Sequence, residues 1–203
     1  MIRQHLLYWC LYLLLLLVGW SIWLTIDHGD VVLLLSQNRI DVLDSLMRLI
    51  THAGEIVTFG FTIFFVLLIN KRVGLVFVAG GVLQAIVTLF LKRIVFASVP
   101  RPTVFFGDTS FQLAKGVEAI ARYSFPSGHT MTAFMLSTMV ILLFNLPNWV
   151  QIVLLLIAIG VGFSRIYLGL HFMIDVLTGS MIGVTLALCS NHWIKPMIVK
   201  SEE

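Results

Sequence analysis

Charge is what this chain has least of. Only 11% of its 203 residues are Asp, Glu, Lys or Arg, against 59% hydrophobic, where soluble domains carry about 25% charged residues. That excludes a water-soluble globular enzyme and leaves one membrane-embedded domain, residues 1–203. The formal net charge of +3 is small, and the basic residues cluster by position without forming a stripe, so a nucleic-acid partner is not expected. Cysteine is nearly missing too. The two present, Cys10 and Cys189, fall inside apolar runs and read as buried thiols, silent on redox compartment. There is no internal repeat and no low-complexity tract. No small-residue cleavage site follows the first apolar run, which reads as a retained transmembrane helix rather than a signal peptide.

What is there, in abundance, is apolar sequence. Six segments are long enough to span a bilayer, at about 6–26, 54–70, 73–91, 130–146, 149–167 and 172–192. The expected fold is all-α, a polytopic bundle of six transmembrane helices with the active site at one membrane face. The turns "NKRVG" and "NLPNW" are short enough to make their flanking spans antiparallel neighbours. Two stretches are more polar. Residues 27–53 include an amphipathic pattern suited to a helix at the interface. Residues 92–129 form the longest connection, with five basic residues and the run "SVPRPT". A long connection rich in ionisable groups is usually functional.

With six spans, parity brings distant residues together. The end of span three, the start of span four and the turn between spans five and six all face the same side. Lys92, Arg101, Ser127, His129, Arg165 and His171 therefore converge. An ionisable residue within a bilayer costs roughly 2.5–3.5 kcal/mol, so such a gathering needs a reason.

Three clusters supply one. In "SRIYLGLHFMID", His171 and Asp175 stand four apart, neighbours on one helical face. The carboxylate can fix the imidazole tautomer and leave the other nitrogen free to attack. Arg165 lies six residues earlier across a turn containing Gly169, and its planar fork of donors suits a phosphoryl group. In "FPSGHT", Pro126 and Gly128 punctuate a turn, Ser127 is placed to cap the helix that follows, and backbone N–H groups form an anion site beside His129. In "LKRIVFASVPRP", Lys92 and Arg93 close span three and Arg101 follows before a proline. Each cluster alone also has a plain reading: a helix-pinning ion cluster, an ordinary capped helix start, and cations reaching for headgroups.

Together the three motifs resemble the type 2 phosphatidic acid phosphatase (PAP2) superfamily, whose pattern is Lys…Arg-Pro, then Pro-Ser-Gly-His, then Ser-Arg-x5-His-x3-Asp. The second stands here as Pro126-Ser127-Gly128-His129, and the third as Ser164-Arg165, His171 and Asp175. The motif-bearing region is about 90–180. The first motif departs from the pattern. Eight residues separate Lys92 from Arg101 where the family has six, and Arg93 is the alternative to Lys92.

The resemblance implies a metal-independent phosphatase with no cofactor, acting on a lipid phosphate held by the bilayer. It implies His171 as nucleophile and phosphohistidine, Asp175 as its orienting partner and His129 as acid and base. Lys92, Arg101, Ser127, Gly128 and Arg165 would bind phosphate. Candidate substrates are undecaprenyl diphosphate, phosphatidylglycerophosphate, phosphatidic acid and a lipid A phosphate. Arg93, Lys115 and Arg122 either favour a substrate with two phosphates or pair with Asp108 and Glu118.

Competing readings are a lipid phosphotransferase with the same site and a non-catalytic transporter or lipid-binding protein. A two-His, one-carboxylate metallohydrolase and a soluble vanadium haloperoxidase fit less well. Loop charge is balanced between the two sides, while the compact "NKR" turn favours cytoplasmic termini. The resemblance places the site on the extracytoplasmic face of a bacterial cytoplasmic membrane. His5, His28 and His192 are expected at the interface, and His52 and Glu55 as a helix cap or anchor.

Overall fold

The computed structural model describes residues 2–107 and 111–199. Among the described residues every regular element is helical. The order is α1 (Leu6–Thr25), α2 (Asp30–Gln37), α3 (Asp41–Thr51), a 3₁₀ strap (His52–Gly54), α4 (Ile56–Ile69), α5 (Lys71–Phe90) running on into a π turn (Leu91–Val95), and α6 (Pro102–Phe106). After the long connection come α7 (Gly128–Leu143), α8 (Asn148–Tyr167), α9 (Met173–Cys189) with a second π turn (Ser190–Ile194), and α10 (Lys195–Val199).

Four of these helices are long and apolar enough to cross a membrane: Leu6–Thr25, Lys71–Val95, Asn148–Tyr167 and Met173–Ile198. A fifth crossing results if Asp41–Gly54 and Ile56–Ile69, bent by 48° at the strap, count as one. The expected segment at 54–70 therefore begins within the strap, and its helix has 14 residues, about 21 Å at 1.5 Å per residue. Helix α7, also shorter than expected, has 16 residues. The amphipathic stretch expected within 27–53 is α3, which packs on α8.

Helix α7 is the centre of the bundle, with eleven of its sixteen residues buried, among them Met131, Phe134, Met135 and Met139. It packs most extensively against α9, then α8. The α7–α9 seam is close because α9 presents Gly179 and Gly183, one turn apart. A Cβ on Gly179 would come within 2.7 Å of the Ser127 carbonyl, and one on Gly183 would collide with the Met131 carbonyl. Small residues spaced by four are how membrane helices bring backbones together, since lipid gives no hydrophobic drive for association.

Polar tethers fix the periphery. The Tyr8 hydroxyl meets Thr138 Oγ1 at 2.6 Å, joining α1 to α7. Asn70 caps α5 by accepting from the Val73 N–H at 3.1 Å. His5, expected at the interface, is buried just before α1 with Nδ1 3.2 Å from Gln151 Oε1, near the start of α8. Of the two thiols read as buried, Cys10 is exposed and Cys189 half-buried. Both sit on membrane helices whose outer faces meet lipid, so an apolar run did not mean a protein interior.

Candidate active site

The turn between α8 and α9 builds the first half of the site. Gly169 takes φ +77°, a backbone region costly for residues with a Cβ. That reversal lets the N–H groups of Leu170 and His171 both donate to the Arg165 carbonyl, at 3.0 and 3.2 Å. His171 is thereby turned inward and is 1% exposed. Asp175, at the third position of α9, accepts the N–H of Phe172 at 3.0 Å. The same oxygen, Oδ2, lies 3.2 Å from His171 Nδ1. With the proton on Nδ1, the ring donates to the carboxylate and presents an unprotonated Nε2. Burial, then the charges of Arg101, Arg165, Lys92 and His129, hold the His171 pKa well below its ordinary value. Both favour the neutral imidazole, the form in which a ring nitrogen can attack.

The α7 mouth supplies the second half. The Ser127 N–H donates to the Asp175 carbonyl at 3.0 Å, which locks the start of α7 to the start of α9. Ser127 occupies the N-cap position, but its hydroxyl does not cap the helix. It instead accepts from Thr130 Oγ1 at 2.9 Å. The first N–H groups of α7, Gly128 onward, thus have no side-chain cap and remain for an anion. His129 lies one residue inside this mouth, lining a cavity of about 550 Å³ with Glu55, Gln84 and Thr88.

Cations close the ring. The π turn after α5 swings Lys92 inward, where Nζ donates to the Tyr123 carbonyl at 2.8 Å. A π turn within a membrane helix is a frequent mark of a functional position. Arg101 donates from Nε to the Arg122 carbonyl and from Nη1 to the Leu170 carbonyl, each at 3.0 Å, which holds its guanidinium against the His171 turn. Arg165 donates from Nη1 to Thr51 Oγ1 at 2.9 Å, while its buried Nε has no partner among the described residues. Of the two candidates for the first motif, Lys92 faces this ring. Arg93 is exposed and lies over the Tyr123 ring, 4.7 Å from its centroid.

Two participants escaped the sequence reading. Ser124, wholly buried, donates from Oγ to Asp175 Oδ2 at 2.5 Å. Its closeness to the Pro-Ser-Gly-His run was the only signal. Thr51, from the last turn of α3, steadies Arg165 with no sequence signal at all. Of the spare cations, Lys115 differs from both expectations. Lys115 pairs with Asp41 at 3.0 Å, and Asp108 lies outside the described residues. His52 and Glu55 pair with each other, 2.7 Å apart, across the strap. Among the described residues no three His, Cys, Asp or Glu side chains gather as metal ligands.

An anion site walled by buried cations, with a carboxylate-supported imidazole at the mouth of a helical membrane bundle, defines a membrane-bound enzyme acting on phosphate. Comparison with known proteins makes the family plain. Residues 73–197 match the PAP2 superfamily. The undecaprenyl-diphosphatase of Sulfolobus acidocaldarius is 33% identical over 196 residues, covering 90% of this chain and 89% of that protein. A crystal structure of a transmembrane PAP2-type phosphatidylglycerolphosphate phosphatase from Bacillus subtilis superposes with a TM-score of 0.69 at 25% identity. That alignment covers 97% of this chain and 98% of the other. The LpxE structure from Aquifex aeolicus gives 0.70 at 25% identity, over 80% and 93% of the two chains. This chain belongs to the PAP2 superfamily. It is an integral membrane enzyme, a phosphatase acting on phosphoester bonds.

Proposed function

We propose that the protein removes the terminal phosphate of a membrane lipid through a phosphohistidine, without a metal. The observation that carries this reading is the buried His171–Asp175 pair, 3.2 Å apart, beside Lys92, Arg101 and Arg165. His171 Nε2 attacks phosphorus as the bond to the lipid oxygen breaks, and His129 protonates that departing oxygen. Water then attacks the phosphohistidine with His129 accepting its proton, the P–N bond breaks, and Nε2 regains its electron pair. Lys92, Arg101, Arg165, Ser127 and the Gly128 N–H hold the three non-bridging oxygens, so positioning and charge stabilisation do most of the work. The lipid tail lies in the cavity between α4 and α5, whose lining includes His129.

A polyprenyl diphosphate is the leading substrate, because the relative matched over nine-tenths of this chain is named for that activity. Phosphatidylglycerophosphate is the second reading, favoured by the Bacillus subtilis structure that superposes over nearly the whole chain. In the same reading all six apolar segments cross the cytoplasmic membrane and the site faces the extracytoplasmic side. The ends of α5 and α8 and the starts of α7 and α9 then meet at that face. The test is phosphate release by the purified protein in EDTA from undecaprenyl diphosphate, phosphatidylglycerophosphate, phosphatidic acid and a lipid A phosphate, with His171→Ala beside it. Release from at least one lipid, lost in the variant and accompanied by an acid-labile phosphoprotein, is expected. Release that survives His171→Ala would refute the mechanism, and transfer to an added alcohol in preference to water would make the protein a phosphotransferase.

A further inference from the structure

A second cavity, also of about 550 Å³, lies on the other side of the strap from the one that holds His129. It is lined by Ser45, Arg48, Thr51, His52, Val117 and Arg165 among others. None of its lining residues is a carboxylate. Two guanidinium groups face it, and the Nε of each is buried without a hydrogen-bond partner among the described residues. Arg165 itself is only 6% exposed. Among the described residues Arg48 donates one side-chain hydrogen bond, from Nη2 to Ser45 Oγ at 3.2 Å. Glu55, in the partition, is the carboxylate whose field reaches Arg165, and Arg48 is half-buried. A buried guanidinium N–H with no partner is costly, and an oxyanion in the cavity would satisfy both.

The two cavities differ in kind. The His129 cavity is walled by Ile56, Phe59, Ala85 and Leu89 along membrane helices α4 and α5. The second is walled by α3, the 116–117 turn and the end of α8, at the membrane face. Thr51 and His52 belong to the second, Gly54 and Glu55 to the first, so residues 51–55 form the partition. Gly54 fits there because a Cβ would come within 2.7 Å of the His129 carbonyl.

We propose that this second cavity is a water-side phosphate port, in which Arg48 receives the inorganic phosphate that Arg165 releases. The proposal rests on the phosphatase reading above. Its ligand is a tetrahedral oxyanion, free phosphate rather than the lipid's own headgroup. The lipid product returns to the bilayer through the apolar cavity, while phosphate has no favourable path through it and leaves past Arg48. Arg48 acts after the chemistry and does not touch the scissile bond.

The test is product inhibition by inorganic phosphate, using the full chain in nanodiscs with whichever lipid it hydrolyses. Arg48→Gln should raise the inhibition constant for phosphate by about tenfold, the worth of one lost charge-assisted hydrogen bond. The lipid KM should stay within about twofold, since no substrate contact is removed. Arg48→Lys should lie nearer the wild type. Ser45→Glu, at an exposed position that cannot compromise the core, should mimic Arg48→Gln by neutralising the guanidinium. An inhibition constant unchanged in both Arg48→Gln and Ser45→Glu overturns the port, as does a wild-type protein indifferent to phosphate. A lipid KM that rises in step with the inhibition constant also overturns it, by assigning Arg48 to the headgroup. No phosphate release from any lipid by the wild type would overturn the phosphatase reading and the port together.

Discussion

Ser124→Ala removes one oxygen from the site and tests how the proposed nucleophile, His171, is held. Three donors converge on Asp175 Oδ2: Ser124 Oγ at 2.5 Å, the Phe172 N–H at 3.0 Å and His171 Nδ1 at 3.2 Å. The shortest is the one deleted, and both Ser124 and Asp175 are buried, so no bulk water replaces it. A hydrogen bond to a charged group contributes about 1.5–3 kcal/mol, and each 1.36 kcal/mol is tenfold in rate. The two remaining donors still hold the carboxylate, which places the effect at the lower end. The expected result is a fall in kcat of about tenfold with KM within about twofold, since Ser124 touches Asp175 rather than substrate. A merely structural role would lower expression and Tm and leave the kcat of folded protein intact. Steady-state phosphate release, run alone and in an Asp175→Asn background, separates the two. Residues in one hydrogen-bond network couple, so Ser124→Ala should cost far less once Asp175 is amidated. A kcat within twofold of wild type, or full additivity with Asp175→Asn, would falsify the positioning role.

Further outcomes follow from the same geometry. Lys92→Ala should lower kcat/KM by about 10²–10³, the cost of an oxyanion donor, whereas Arg93→Ala should cost less than about fivefold, the value of an exposed cation–π contact; the reverse ranking would reassign the first motif. Gly179→Leu drives a side chain at the Ser127 carbonyl and should destabilise by about 1–3 kcal/mol or more, lowering Tm and activity together. Gly60→Ala, with nothing within 4 Å of the added carbon, should be neutral or stabilising by about 0.5–1 kcal/mol; equal damage from both glycines would undo the seam argument. In the free enzyme the His171 pKa is depressed, so its neutral form persists until the pH is well below 6.5. The acid limb of kcat/KM, which reports the free enzyme, should therefore owe nothing to His171 near pH 6.5. A limb at or above that value, traced to His171 by isotope-labelled NMR, would contradict its burial.

Much of the site was legible because its chemistry is carried by residue types that a membrane segment rarely tolerates. Arg165, His171 and Asp175 stand out against Leu and Val, and antiparallel parity gathered them with His129 and Lys92 before any coordinates. Neutral participants were invisible for the opposite reason. Ser124 and Thr51 are small, common and cheap to bury, and nothing in their spacing marks them. The span count was less legible, since hydropathy measures how apolar a segment is and not where its helix breaks. Composition changes at Gly54, from the amphipathic α3 to the apolar α4, but does not say that the two helices meet there at a 48° bend. Cys10 was misplaced. An apolar helix in a bilayer has a lipid face as apolar as its protein face, so hydrophobic neighbours did not tell which side each residue took.

The glycine seam between α7 and α9 ties catalytic geometry to the surrounding medium. Gly179 admits the Ser127 carbonyl, Ser127 bonds the Asp175 carbonyl, and those two strokes of backbone set how far the His129 imidazole stands from that of His171. No hydrophobic force in the bilayer presses the two helices together, so lateral packing by the solvating amphiphile is part of what keeps the gap. A micelle that lets them part by an ångström would silence the enzyme while its far-ultraviolet dichroism stayed that of an intact helical bundle.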